Sequence, residues 1–287
     1  MTRANRLVAL PRAALLVDRL VALPRAALLV AVLTSACCTH APPVARPYAA
    51  PSAEELASLL SARASSVRSI NTRARATSWL GGERVRATVL MLVTRDGHLR
   101  FEAEISLQGT IATLATDGRT FALLDNRKNE LSRGPACPSN VASLVRIPLA
   151  PADVAAIVLG DVRRPPEAIV SPEVAWDASR GADVLELVTP AQTLHVFFAH
   201  HGAAIDIVGA EATAGGKRLW QTSYEDFAIA AGARLPTTIH FAEGTGSYDD
   251  GVEIKLKDRE LNGSPPDAAF TLTPPPGVAV KDVGCGG

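Results

Sequence analysis

Strict alternation of apolar and polar residues in HLRFEAEISL (98–107) constrains this chain more than any other feature. Leu99, Phe101, Ala103, Ile105 and Leu107 fall on one side of an extended segment, and His98, Arg100, Glu102, Glu104 and Ser106 on the other. A period of two places one set against a core and the other in water, which a helix cannot do with this order. From Ser69 onward the same period recurs, punctuated at hairpin spacing by Gly81-Gly82, Asp96-Gly97, Asp117-Gly118, Gly215-Gly216 and Asp250-Gly251. The pattern predicts an antiparallel meander with one solvated face.

Two helical passages interrupt it. Ser52-Ala53-Glu54-Glu55 is a capping box ahead of ELASLLSARASSV, whose Leu56, Leu59, Leu60 and Val67 fall near one helical face. Between residues 134 and 170, GPACPSN leads into a Pro-flanked, mostly helical insertion. There Pro151 and Asp153 suit the start of a short helix and Gly160 its C-terminal cap. Strands resume around EVAWDA, DVLELVT, TLHVFFA, AIDIVGAE, RLWQTSYEDF, PTTIHFA and VEIKLKDREL. A sheet of roughly ten or more strands must curl to close or cover itself, and the helices are available to sit inside the curve.

Residues 1–36 are excluded from that fold. RLVALPRAALLV at 6–17 returns at 19–30 with Asp18 between the copies, too little sequence for a solenoid. Pro11 and Pro24 would kink a single helix, and Arg12, Asp18, Arg19 and Arg25 interrupt a membrane span. The Arg-rich leader, the apolar run 26–33 and the small residues Thr34-Ser35-Ala36 read as a secretory signal. LTSAC then resembles the lipobox of bacterial lipoproteins, which implies an acylated Cys37 as the mature N-terminus, with Cys38 as a second register. No aspartate follows Cys37, and this resembles an outer-membrane address facing the periplasm. Pro42, Pro43, Pro47 and Pro51 make 37–51 an extended tether, leaving 52–287 as a single domain.

Charge argues against one class of partner. Lys+Arg 29 balance Asp+Glu 29 without a basic run interleaved with aromatics, so nucleic acid is not expected. Cys137 and Cys285 lie outside the lipobox, and an exported chain commonly pairs its thiols; two unpaired small hydrophobes are the alternative. No G-x-S-x-G, H-E-x-x-H, C-x-x-C or P-loop occurs. His200-His201 is placed in a loop before Gly202, with no Cys, Asp or Glu cluster near enough in sequence to complete a metal site. The expectation is no catalytic residue, no metal and no cofactor.

The order of elements, carried by GHLRFEAEISLQGTIATLATDGRTFALLDNRKNELSRGPA, resembles the outer-membrane lipoprotein carrier and receptor superfamily of LolA and LolB type. A D-G-x-x-F-x-L-x-D core stands at Asp117, Gly118, Phe121, Leu123 and Asp125. LPTTIHFA follows later, and then a closing F-x-L-x-x-P-x-G at Phe270, Leu272, Pro275 and Gly277. The resemblance spans residues 52–280. It implies a mostly β, α+β fold: an unclosed antiparallel half-barrel, with the N-terminal helix and the mid-chain insertion as a lid over a cavity for acyl chains. In the receptor branch a protruding loop presents an apolar residue to the membrane; here the candidate turn is only Leu107-Gln108-Gly109, a departure that argues against a full receptor role.

Apolar surface exceeds what one sheet face needs. RVRATVLMLVT carries Val85, Ala87, Val89, Met91 and Val93 on one side but Leu90 and Leu92 on the other, and Phe197 and Phe198 point oppositely. Both faces therefore require cover. In one reading Val89, Met91, Phe101 and Ile105 line a cavity on the order of several hundred Å3 for lipid or lipoprotein acyl chains. In the other, helices fill the concavity and the chain is a structural or interaction lipoprotein of the envelope, without a ligand.

Overall fold

A computed structural model of the chain describes residues 44–286 apart from 81, 82, 168, 171 and 203. The leader, its repeat, Cys37, Cys38 and the Gly81-Gly82 pair lie outside the described residues.

Helix α1 (Ala53–Ser66) begins at the expected capping box. Ser52 Oγ accepts from the Glu55 N–H at 3.2 Å, and Glu55 Oε2 accepts from the Ser52 N–H at 2.7 Å. Leu56 and Leu60 turn inward, whereas Leu59 stays 37% exposed. At about 100° per residue it lies a quarter turn from Leu60, at the edge of the stripe.

Six strands follow: β1 (Ser69–Leu80), β2 (Glu83–Thr94), β3 (Leu99–Ile105), β4 (Gly109–Thr116), β5 (Thr120–Asp125) and β6 (Glu130–Pro135). The insertion forms α2 (Pro138–Val145) and α3 (Pro151–Val158). The second series is β7 (Pro172–Asp177), β8 (Ala182–Val188), β9 (Thr193–His201), β10 (Ala204–Ala214) and β11 (Lys217–Glu225). A small hairpin, β12 (Ala228–Ala230) and β13 (Ala233–Leu235), precedes β14 (Thr238–Glu243), β15 (Val252–Leu261) and β16 (Ala279–Asp282).

Among the described residues, fourteen strands form one unclosed sheet in the order β16-β6-β5-β4-β3-β2-β1-β15-β14-β11-β10-β9-β8-β7. Two antiparallel meanders meet where β1 pairs with β15. The departure from the antiparallel expectation is β16, which runs parallel to β6. The chain after Leu261 reaches that edge by crossing the outer face rather than by a hairpin. Buried Phe270 marks the crossing: its ring lies 5.2 Å from that of His98, and Arg100 Nη1 donates to the Ala269 carbonyl at 3.1 Å. Cys137, just before α2, and Cys285, beyond β16, form a disulfide with Cα atoms 5.9 Å apart.

The inner face carries the core. Residues 154–158 of α3 are all buried, and Val154, Ala155, Ile157 and Val158 share one apolar cluster with Val89, Met91, Phe101, Leu114, Phe198 and Phe241. Phe197 joins Ala182 and Val184 in a small cluster on the opposite face, so β9 is apolar on both sides. His200 and His201 are not in a loop. They finish β9, because Gly202 at φ 63° makes a turn tight enough for His201 to pair with Ala204.

Candidate functional site

Met91 on β2 stands opposite Phe101 on β3, and Val89 opposite Ala103. Cross-strand partners share a sheet face, so Val89, Met91 and Phe101 form one patch on the concave side, none more than 7% exposed. Ile105 lies on the same side but is half-buried at the end of β3, past a register shift between Ala103 and Glu104. Next to it Leu107, at φ 72°, is fully exposed. The structure thus gathers three of the four expected residues beneath α3 and leaves the fourth at the rim.

Helix α3 reads PADVAAIV, and every residue except Ala152 and Asp153 is buried. A helix apolar nearly all round belongs in an interior. Gly97 lets it approach: at φ 95° in the β2–β3 turn, a Cβ there would stand 2.9 Å from the Ala152 nitrogen. At the far end Gly160, φ 73°, faces Pro236 so closely that a Cβ would lie 2.6 Å from Cδ.

A polar latch fastens that far end. Asp161 is fully buried, with Oδ2 2.9 Å from Arg95 Nη1 and Oδ1 accepting from the Val162 N–H at 2.7 Å. The Tyr224 hydroxyl donates to the Asp161 carbonyl, and Arg95 Nε donates at 2.8 Å to the carbonyl of Val67, the C-cap of α1. Arg95 therefore ties the ends of both helices to the β2–β3 turn. Burial pushes the Asp161 carboxyl above its usual range against the pull of Arg95, and pushes the Tyr224 hydroxyl well up. Burial also lowers the Arg63 guanidinium. Arg95 Nη2 and Arg63 Nη1 are buried without a hydrogen-bond partner, and such groups weaken the closed arrangement.

Packing opens around the helices. A cleft of about 490 Å3 runs between the insertion and β9, β11 and β14, floored by Leu194, Leu219, Trp220 and Phe241. Asp153 at its edge has its carboxyl raised by burial, with Arg163 opposing. A second cleft of about 230 Å3 lies between α1 and α3, at Leu60, Ala64, Ala152 and Ala156.

Part of the expected tether is bound to the domain. The Val44 N–H donates to the Ala178 carbonyl at 3.0 Å, and Trp176 Nε1 donates to the Val44 carbonyl at 2.8 Å. Arg46 Nη2 lies 2.8 Å from Oδ1 of the fully buried Asp183, and Tyr48 stacks on His200 at 3.8 Å. Burial, then the contact with Asp183, push the Tyr48 hydroxyl up to about 12. Sequence reasoning missed this cluster. Its one signal was a cation and an aromatic, Arg46 and Tyr48, set among prolines. Among the described residues, no group of three or more His, Cys, Asp or Glu side chains could hold a metal ion, and no helix is long and apolar enough to cross a membrane.

No protein-family model matches the chain, and no curated protein matches it in sequence. Solved structures match it in fold. A LolA superfamily protein from Nitrosomonas europaea superposes with a TM-score of 0.52 at 16% identity, covering 78% of this chain and 99% of that one. A DUF1329 family protein from Desulfovibrio piger gives 0.52 at 12% identity, over 76% and 95% of the two chains. A domain described as an outer membrane lipoprotein-sorting protein, from Vibrio parahaemolyticus, gives 0.51 at 12% identity, over 76% and 97%. The chain therefore shares the fold of LolA superfamily structures, a large unclosed sheet with helices on its inner face.

Proposed function

We propose that this chain is a cell-envelope protein of the carrier or receptor type, which holds acyl chains of a lipid or lipoprotein between the concave sheet face and a movable lid of α1 and α3. The observation that carries this reading is the contrast at α3. A nearly all-apolar helix lies on an apolar sheet, yet its end is fastened by a few polar bonds around Asp161. Apolar contact is non-directional, so an acyl chain can take the place of helix side chains against Val89, Met91, Phe101 and Ile105. Opening the latch costs about 1 kcal/mol for each hydrogen bond released. The cleft over Leu194, Trp220 and Phe241 gives an entering chain its first apolar contact. The lipoprotein-sorting domain of the same fold supports the assignment. In this reading Cys37 is acylated after residues 1–36 are removed, and the protein sits on the outer membrane facing the periplasm, without catalytic chemistry.

One observation favours a second reading, an interaction lipoprotein with a solid core. Val89, Met91 and Phe101 are covered by the same cluster that contains α3. A photoreactive fatty acid incubated with the purified chain separates the two. Cross-links in the peptides of β2 and β3, with lipid adducts in native mass spectra, are expected of a carrier. No adduct at saturating probe and no co-purifying lipid would leave the interaction lipoprotein.

A further inference from the structure

On the face away from the helices, Arg73 of β1 stands directly opposite Lys257 of β15, and Arg75 directly opposite Lys255. All four side chains are exposed. Like charges directly opposite on antiparallel strands destabilise the pair, and here two such pairs share one face. On β2, Arg86 and Arg84 extend the array: they face Thr77 and Trp79, which belong to the same alternation of β1, and Arg84 lies over the Trp79 ring at 5.4 Å. Half-buried Leu90 and Leu92 stand opposite Arg73 and Asn71.

Carboxylates do not account for the arrangement. Of these six cations, Lys255 alone has an ion-pair partner among the described residues, Glu253 at 3.4 Å. Glu102 is engaged by Arg100 at 2.6 Å. Glu104 and Glu260 stand opposite Thr88 and Asn71 at the flanks, and Asp249 and Asp250 sit on a turn bordering β1, β14 and β15. The opposed pairs Arg73–Lys257 and Arg75–Lys255 repel across the strands, and an anionic partner from outside the chain would relieve that repulsion. They form a grid, about 4.8 Å across strands and about 7 Å along them, on the central strands of the fourteen. A grid on the outer wall meets a plane of charge rather than a single ion. Trp79 and the two leucines between the cations suit an interface where apolar and charged groups mix.

We infer that the outer face of β15, β1 and β2 is a docking surface for a bilayer bearing anionic phosphate headgroups. This surface is separate from the concave face and does not depend on what that face holds.

The test uses the chain from residue 37 onward with Cys37→Ser and Cys38→Ser, so that neither an acyl anchor nor the Arg-rich leader contributes, floated with vesicles of phosphatidylcholine alone or with phosphatidylglycerol added. Binding about tenfold tighter to the anionic vesicles is expected, lost at high salt. Arg73→Gln/Arg75→Gln/Lys255→Gln/Lys257→Gln should abolish the increment while keeping or raising the thermal midpoint. Arg73→Gln/Lys257→Gln should give an intermediate loss, and Arg127→Gln/Lys128→Gln, on the β5–β6 turn, none. Equal binding to both vesicles, or an increment undiminished in the fourfold variant, overturns the proposal. So does binding to polyglutamate in place of anionic vesicles, which would assign the face to an acidic protein.

Discussion

The hydroxyl of Tyr224 donates a hydrogen bond to the main-chain carbonyl of Asp161, 2.5 Å away, so a residue of β11 holds the end of α3 from across the concave face. Tyr224→Phe removes that donor and leaves a buried acceptor short of a partner, at a cost of about 1–3 kcal/mol. Amide exchange in α3 should quicken while β2 and β3 keep their protection. Equal quickening throughout would mean that the bond serves global stability rather than the lid.

Asp161 also sets a pH dependence. Burial holds its folded carboxyl above the unfolded value of about 3.9. The folded state therefore keeps the proton to higher pH, and stability falls as pH rises through the folded value. Asp161→Asn lacks that fall. The Tm advantage of the parent over Asp161→Asn should be largest near pH 4 and shrink toward pH 7. Thermal melts showing a gap that widens with pH would mean that the Arg95 pairing outweighs burial.

Met91 and Ile105 should respond differently to enlargement. Met91 is enclosed beneath α3, so Met91→Trp overpacks the closed form and costs about 1–3 kcal/mol. Ile105 is half-buried at the rim, and Ile105→Phe should leave the Tm nearly unchanged while lowering uptake of a fluorescent fatty acid. Unchanged uptake would remove Ile105 from the path of the ligand.

The Cys137–Cys285 bridge spans a sequence separation of 148. In the chain-entropy model, closing a loop of that size stabilises by about 4–5 kcal/mol, with real bridges often giving less. Reduction should lower the urea midpoint accordingly, and a non-reducing digest should yield the linked peptide. Free thiols at both positions in the unfolded, non-reduced protein would refute the bridge.

Cys37→Ser should move the protein from the membrane fraction to a soluble or unprocessed form. Metabolic labelling with a fatty acid reads out the site directly. Label retained in this variant would reassign the anchor to Cys38, and label absent from the parent would end the lipoprotein reading.

The sheet was legible because its code is local. Alternation in 98–105 places Leu99, Phe101 and Ala103 inside without reference to any other strand, and Pro151 and Gly160 mark α3 by the backbone geometry they permit. Pairing between remote strands was not legible, since nothing in AVKD of β16 specifies a parallel partner. His200 and His201 were misplaced because a glycine marks a turn without saying how tight it is. Asp183 was invisible as a buried charge, because its burial depends on Arg46 arriving from far along the chain. The shared face of Val89, Met91 and Phe101 could be read. What covers it could not, because an apolar helix and an apolar ligand make the same demand on the sheet.

The β1–β15 junction imposes an order on folding. Until residues 252–261 are in place, β1 ends the first meander with its twelve residues lacking one neighbour. Contacts between segments so remote form slowly, and a long open edge invites pairing with other chains. As the chain emerges N-terminus first, six strands can assemble early yet must wait for nearly all the rest before their edge is capped. Its hazardous interval for aggregation therefore lasts until residues 252–261 have joined β1.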